Sequence, residues 1–312
     1  MTGAIIKGRE HFFNVKYVGN DHGQKVGQML PFTDNGTISK SCMFDDGDSP
    51  RLTRTPSSAS NRRTATLSLW FKRADTGADA TLFSIFDGSN NLFTLQVRNN
   101  TSVSGGGTAN FCIQVQARLG STTTRFFRTN RSFEDTSKFY HFLVKIDTTD
   151  STESNRVRLY VDGDEITSFS TNTLTSGGNL TQNTDLLFNN TTIHSIGAFD
   201  EVNWVDGTAY GPDTFGVTDT STGRWIPKTL AGISYGTNGF RMEFANSAGQ
   251  TIGDDTSGQG NDYAVSNLAA SDIKVDSPTN NVAIMRNYDP DHLQTISQGG
   301  LKTATTGTNA GH

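Results

Sequence analysis

Two short loops concentrate hard oxygen donors. Asp45-Asp46-Gly47-Asp48 and Asp254-Asp255-Thr256-Ser257-Gly258 are dense in carboxylates, and Asn261 follows the second closely. Calcium takes about 6–8 such oxygens. Asp254, Asp255 and Asn261 are therefore the metal-ligand candidates, and Ca2+ is the one cofactor the chain suggests. The competing and more ordinary use of these residues is the Asx turn, in which an Asp side chain bonds its own backbone. Glycoside hydrolysis would need two carboxylates on one strand face, about 5–5.5 Å apart for retention. Asp162-Gly163-Asp164-Glu165 reads as a turn, and the adjacent Asp200 and Glu201 are expected on opposite strand faces. No Gly-x-Ser-x-Gly elbow is present, and the histidines (His11, His22, His141, His194, His292, His312) show no metal-ligand spacing. Gly105-Gly106-Gly107 precedes no helical pattern, so it is a hairpin loop rather than a phosphate cradle. The chain is expected not to be an enzyme. Sugar recognition would need an aromatic ring beside polar groups. Trp70 and Trp204 lie in core-strand patterns and are expected to pack; Trp225 is the carbohydrate-binding candidate, where it either stacks on a sugar or seals a sheet edge.

Strands must position whatever chemistry there is. In Phe139 to Asp147, Tyr140, Phe142, Val144 and Ile146 alternate with His141 and Lys145, the period-two pattern of a strand with one face on a core. Val157, Leu159 and Val161 repeat it, ending at Asp162-Gly163, a pair that accepts the positive φ of a tight hairpin turn. Further strands are expected at 41–44, 67–72, 82–86, 92–98, 110–117, 125–128, 185–188, 192–205 and 239–244. Eleven or so strands, with turn residues between them and no long amphipathic helix, predict an all-β, two-sheet antiparallel jelly-roll sandwich.

These segments carry a resemblance. "TATLSLWFKR" (64–73) and "FYHFLVKID…RVRLYVDG" (139–163) resemble core strands of concanavalin A-like, laminin-G-like domains. "FDDGDSPRLTRTPSSASNRRTATLSLWFKRAD" (44–75), "FDEVNWVDGTAYGPDTFG" (199–216), "YGTNGFRMEF" (235–244) and "DSPTNN" (276–281) resemble structural proteins of tailed, often marine, bacteriophages. The segment from Phe240 to Val265 is similar to a strand–turn–strand unit that opens many laminin-G-like domains. Here it follows the sandwich and is expected to complete it.

The resemblance implies a virion structural protein on an exterior appendage, a tail fibre or tail tip, whose lectin-like module meets host-surface glycan. The rival readings are a head decoration or cement protein and, remotely, a glycoside hydrolase. Three parts are expected: an amino-terminal anchor over 1–38, the sandwich over 39–281, and an extended tail over 282–312. Phe12, Phe13 and Tyr17 sit in a segment too short and glycine-rich for its own core, so they are the candidate interface residues toward other virion proteins or a sister subunit in a homo-oligomer.

A net charge of −5 without a basic block argues against nucleic acid. Arg62-Arg63 and Lys72-Arg73 are expected to be solvated strand ends. No apolar run of about 18 residues suggests a membrane span, and the amino terminus has no apolar core of signal-peptide length. Cys42 and Cys112 are expected to be free thiols, as in a protein assembled in host cytoplasm.

Overall fold

The computed structural model describes residues 38–45, 49–58, 61, 63–74, 79–86, 92–99, 111–119, 122–173, 191–193, 197–220, 223–245, 249–281, 294–297 and 302–305. Outside them lie the anchor candidates Phe12, Phe13 and Tyr17, the acidic Asp46–Asp48 stretch, His194, the Gly105–Gly107 loop and the strand expected at 185–188.

The strands, in chain order, are β1 (Ser41–Phe44), β2 (Arg51–Arg54), β3 (Thr64–Arg73), β4 (Ala80–Phe86), β5 (Leu92–Arg98), β6 (Cys112–Leu119), β7 (Thr122–Ser132), β8 (Tyr140–Asp147), β9 (Val157–Val161), β10 (Asp164–Glu165), β11 (Phe169–Thr173), β12 (Thr191–Ile193), β13 (Gly197–Asp206), β14 (Gly216–Thr218), β15 (Trp225–Pro227), β16 (Phe240–Met242), β17 (Ala264–Ser266), β18 (Ile273–Lys274), β19 (Gln294–Ser297) and β20 (Lys302–Thr305). One sheet runs β10-β9-β8-β3-β13-β1-β18, with β16 also on β13; the other runs β11-β7-β6-β5-β4-β12-β2-β17. β14–β15 and β19–β20 form separate pairs. All pairings are antiparallel, as expected of a jelly roll.

The inward alternation holds. Leu69, Phe142, Val144, Leu159 and Val161 are buried in one continuous core with Leu95, Val115 and Phe127 of the facing sheet. Trp204 stacks on Phe83 at 5.4 Å, joining the sheets. Asp162 (φ 52°) and Gly163 (φ 88°) both take the left-handed conformation, and the turn registers Val161 against Asp164. The late segment completes the sandwich in an unexpected way. β16 joins β13 in one sheet and β17 joins β2 in the other, with Phe240 and Tyr263 edge-on at 4.8 Å in the shared core.

The outer face of the first sheet is covered. His141 takes the outward position that the alternation gave it and is nonetheless fully buried, as is Leu143 beside it. The segment after β13 covers that face, with Phe215 and Tyr235 clustered on Leu143 and Val205. Lys72 on that face, and Arg73, which alternates to the other side and lies over the Phe111 ring at 3.9 Å, are not the expected solvated ends but only 3% exposed. Lys72 Nζ donates to Asp276 Oδ2 (2.9 Å) and Asn281 Oδ1 (2.7 Å). The Ser277 and Thr279 hydroxyls both donate to the Ile38 carbonyl, at 2.6 and 2.5 Å. The Asp276–Asn281 motif is thus a clasp that fastens the start of the sandwich to its end. Cys42 and Cys112 are free and buried.

Candidate functional site

Asp255 and Asn261 meet, while Asp254 turns elsewhere. Asp255 Oδ1 accepts the backbone N–H of Arg241 (2.9 Å) and Ser257 (2.8 Å); Oδ2 accepts the Ser257 hydroxyl (2.9 Å) and the Asn261 N–H (2.9 Å). Four donors fill the carboxylate, as in an Asx turn that ties the loop to β16. Asp254 accepts the N–H and hydroxyl of Thr251, at 2.7 and 2.5 Å. Asn261 donates to Thr237 O and Gly239 O and accepts from Arg54. Among the described residues no group of three or more His, Cys, Asp and Glu side chains is placed to hold a metal ion.

Trp225 lies on β15, over the outer face of the first sheet. Its Nε1–H donates to His141 Nδ1 (3.1 Å), and the rings stack at 5.9 Å. Because the indole can only donate, His141 Nδ1 must accept, so the imidazole proton sits on Nε2 and points at Ser68 Oγ (2.9 Å). Burial pushes His141 down to about 3, so the ring is neutral in the fold. Gly163 and Gly216 make room for the indole: a Cβ on either would come within 2.5 Å of the ring. These contacts form a seal over the sheet.

The adjacent acids break the alternation rule. Pairing shifts between Asp200 and Asn203, and Glu201 bulges with φ 43°. Asp200 lies opposite Trp70 on the outer face, and Glu201 reaches Arg241, which lies opposite Asn203 on that same face. The two acids therefore share a face. Arg241 grips Glu201 with two bonds (3.0 and 2.8 Å) and also holds Glu243 (2.8 Å). Burial raises Asp200 well above the usual carboxylate range; Oδ1 accepts the Glu201 N–H, and Oδ2 has no partner among the described residues. The cleft beside Glu201, lined also by Trp70, Asn203, Phe215 and Lys228, measures about 10 Å³. That is room for about one water, not a sugar ring.

The outer face of the second sheet is different. Thr81, Gln96, Gln114 and Arg128 align in register across β4, β5, β6 and β7. They are hydrogen-bonded in series: Gln96 Nε2 to Thr81 Oγ1 (3.1 Å), Gln114 Nε2 to Gln96 Oε1 (3.0 Å), Arg128 Nε to Gln114 Oε1 (2.9 Å). A second row, Ser84, Thr94, Gln116 and Phe126, lies beside the first. Thr94 is 5% exposed, and its hydroxyl has no partner among the described residues. The Arg128 guanidinium lies over the Phe126 ring at 4.8 Å. Burial lowers the proton affinity of Arg128, and nearby Arg98 adds to the effect. Amides, hydroxyls and a guanidinium beside an aromatic ring are the groups that take up vicinal hydroxyls. None of these residues stood out by motif. The available signal was alternation: the same period that turns Ile113 and Val115 inward turns Gln114 and Gln116 outward.

A family model described as "Concanavalin A-like lectin/glucanases superfamily" matches residues 46–209, just over half of the chain. No curated protein matches. Among solved structures, a candidate carbohydrate binding protein from Bacteroides ovatus has 13% identity and a TM-score of 0.48 over 77% of this chain and 60% of that one. The chain thus spans less than two thirds of that relative. A SAP-like pentraxin from Limulus polyphemus has 10% identity and a TM-score of 0.38, covering 59% of this chain and 81% of that one. Domains LG4-5 of the mouse laminin alpha1 chain have 10% identity and a TM-score of 0.39, covering 62% and 49% respectively.

Proposed function

The chain belongs to the concanavalin A-like lectin/glucanases superfamily, and on that premise we propose that it is a non-catalytic glycan-binding module of a tailed-bacteriophage virion, carried on an exterior appendage. The observation that carries the binding reading is the pair of polar rows on the outer face of β4–β7, four strands wide and bounded by Phe126. Sugar hydroxyls pair with planar amides and hydroxyls, and an aromatic ring covers the apolar face of the pyranose. The phage reading is supported by the segments 44–75, 199–216, 235–244 and 276–281, which resemble virion proteins. The non-catalytic reading is supported by the acids near the bulge, where Arg241 occupies Glu201 and Glu243. The arms, 1–38 and 282–312, are assigned to attachment on other virion proteins and on sister copies of the chain.

A glycan array with the full chain tests binding, and the variant Gln96→Ala/Gln116→Ala should lose the signal while melting as the wild type does. An array on which no glycan binds would overturn the lectin reading. Immunogold microscopy of particles tests the position: label on tail fibres or the tail tip is expected, and label over the head lattice would make this a decoration protein instead. Removing either arm should leave a folded sandwich that no longer enters particles.

A further inference from the structure

Arg128 is an anomaly on the polar face. It is only 8% exposed, yet among the described residues no carboxylate forms an ion pair with it; Asp79, bound to Arg98, acts on it from further off. Buried charges are ordinarily paired, because removing an ion from water is costly. Neighbouring Arg98 has its own acid, Asp79, at 2.8 Å. The Arg128 guanidinium is held from two sides. Nε is spent on Gln114 Oε1 at 2.9 Å, and the plane rests on Phe126 at 4.8 Å. Its two terminal nitrogens have no protein partner among the described residues. What remains free is a fork of N–H donors fixed in orientation, the geometry that grips an oxyanion through two parallel bonds. The Thr94 hydroxyl, enclosed and unpartnered, lies in the neighbouring row as a second unsatisfied group.

We propose that Arg128 selects acidic glycans: a sugar carboxylate, as on a uronic or nonulosonic acid, sits on the Arg128 fork while the ring lies along the Gln114–Gln116 rows. This rests on the glycan-binding reading above and narrows its ligand class. A sugar phosphate offers the same oxyanion chemistry and forms a separate arm of the test. The chain carries a net charge of −5, so long-range attraction would not bring an anion here; selection is local to the fork.

The test is titration calorimetry on the full chain with methyl glucuronide, the methyl glycoside of N-acetylneuraminic acid, their methyl esters, methyl glucoside and glucose phosphate. Esterification removes the charge and keeps the shape. The better of the two acids should bind about tenfold to a hundredfold more tightly than its ester. Arg128→Lys keeps the charge and loses the fork, so it should lose most of that preference while melting as the wild type does. Acid and ester binding equally would overturn the proposal yet leave the lectin reading standing. Phosphate bound with the carboxylates bound no better than their esters would also overturn it, in favour of a phosphorylated glycan. No binding to any of these sugars, with none on the array, would overturn both. Because the ester comparison uses the wild-type chain, the outcome does not depend on whether a variant folds.

Discussion

The two sheets present outer faces of opposite character, although both obey the same alternation. On the first sheet the outward positions of β3 and β8 mix sizes and polarity: Ser68, Trp70, His141, Leu143. On the second, the middle outward positions of β5 and β6 are polar, Thr94, Gln96, Gln114 and Gln116, with Leu92 and Cys112 at their ends. The first face is covered by the segment after β13 and sealed with Trp225. The second pairs Thr81, Gln96, Gln114 and Arg128 laterally, strand to strand, with Gln114 and Arg128 themselves buried. Outward positions that set large apolar side chains such as Trp70 and Leu143 beside His141 mark a face made for burial; polar rows in register mark one whose groups pair along the sheet.

The comparison breaks altogether if the shared core is lost. Phe142→Ala should destabilise both faces at once by about 3–5 kcal/mol, in a single denaturant transition. A loss under about 1 kcal/mol would put the strand register in error. The covered face alone should respond to acid. His141 falls from an ordinary value near 6.5 to about 3 on folding, so the unfolded chain binds the extra proton. Its contribution is full above pH 6.5 and shrinks as pH falls towards 3, by about 1.4 kcal/mol per unit. The stability advantage of wild type over His141→Gln should therefore shrink by about 2 kcal/mol between pH 6.5 and 4.5. A difference that stays constant with pH would mean that the ring is solvated. Trp225→Ala removes a half-buried seal and should lose about 2 kcal/mol with glycan binding unchanged; lost binding would move the site to the covered face. Gln114→Ala interrupts the polar row and should cost only about 1 kcal/mol, its larger effect being on ligand affinity. Smallest of all is the response to chelator: with Asp255 filled by four donors, Tm should move by less than about 1 °C. A larger fall would show that calcium competes for those oxygens.

The inner half of this fold could be read in the sequence because burial enforces alternation. Ser41–Phe44 and Leu92–Arg98 were expected at the bounds they occupy, and Phe142 faces inward as its neighbours required. What could not be read depended on partners distant in sequence. Glu201 sits at a bulge that no local pattern announces, so the rule placing adjacent acids on opposite faces failed there. Lys72 looked solvated because its partners, Asp276 and Asn281, lie some two hundred residues later. The polar rows went unseen because each strand contributes only one or two residues; the rows exist only once four strands are in register.

The clasp at Asp276–Asn281 has a consequence for how such a sandwich can be inherited and reused. The backbone at Ile38 and the motif that ends at Asn281 are in hydrogen-bond contact, and β1 and β18, the first and last strands of the sandwich, run side by side. A unit whose two ends meet can be spliced into a surface loop of another protein without stretching the loop or opening the host fold. A short bridge between residues 38 and 281, with new ends cut elsewhere, should likewise leave the sandwich intact. The six residues of the clasp thus make this sandwich a movable cassette.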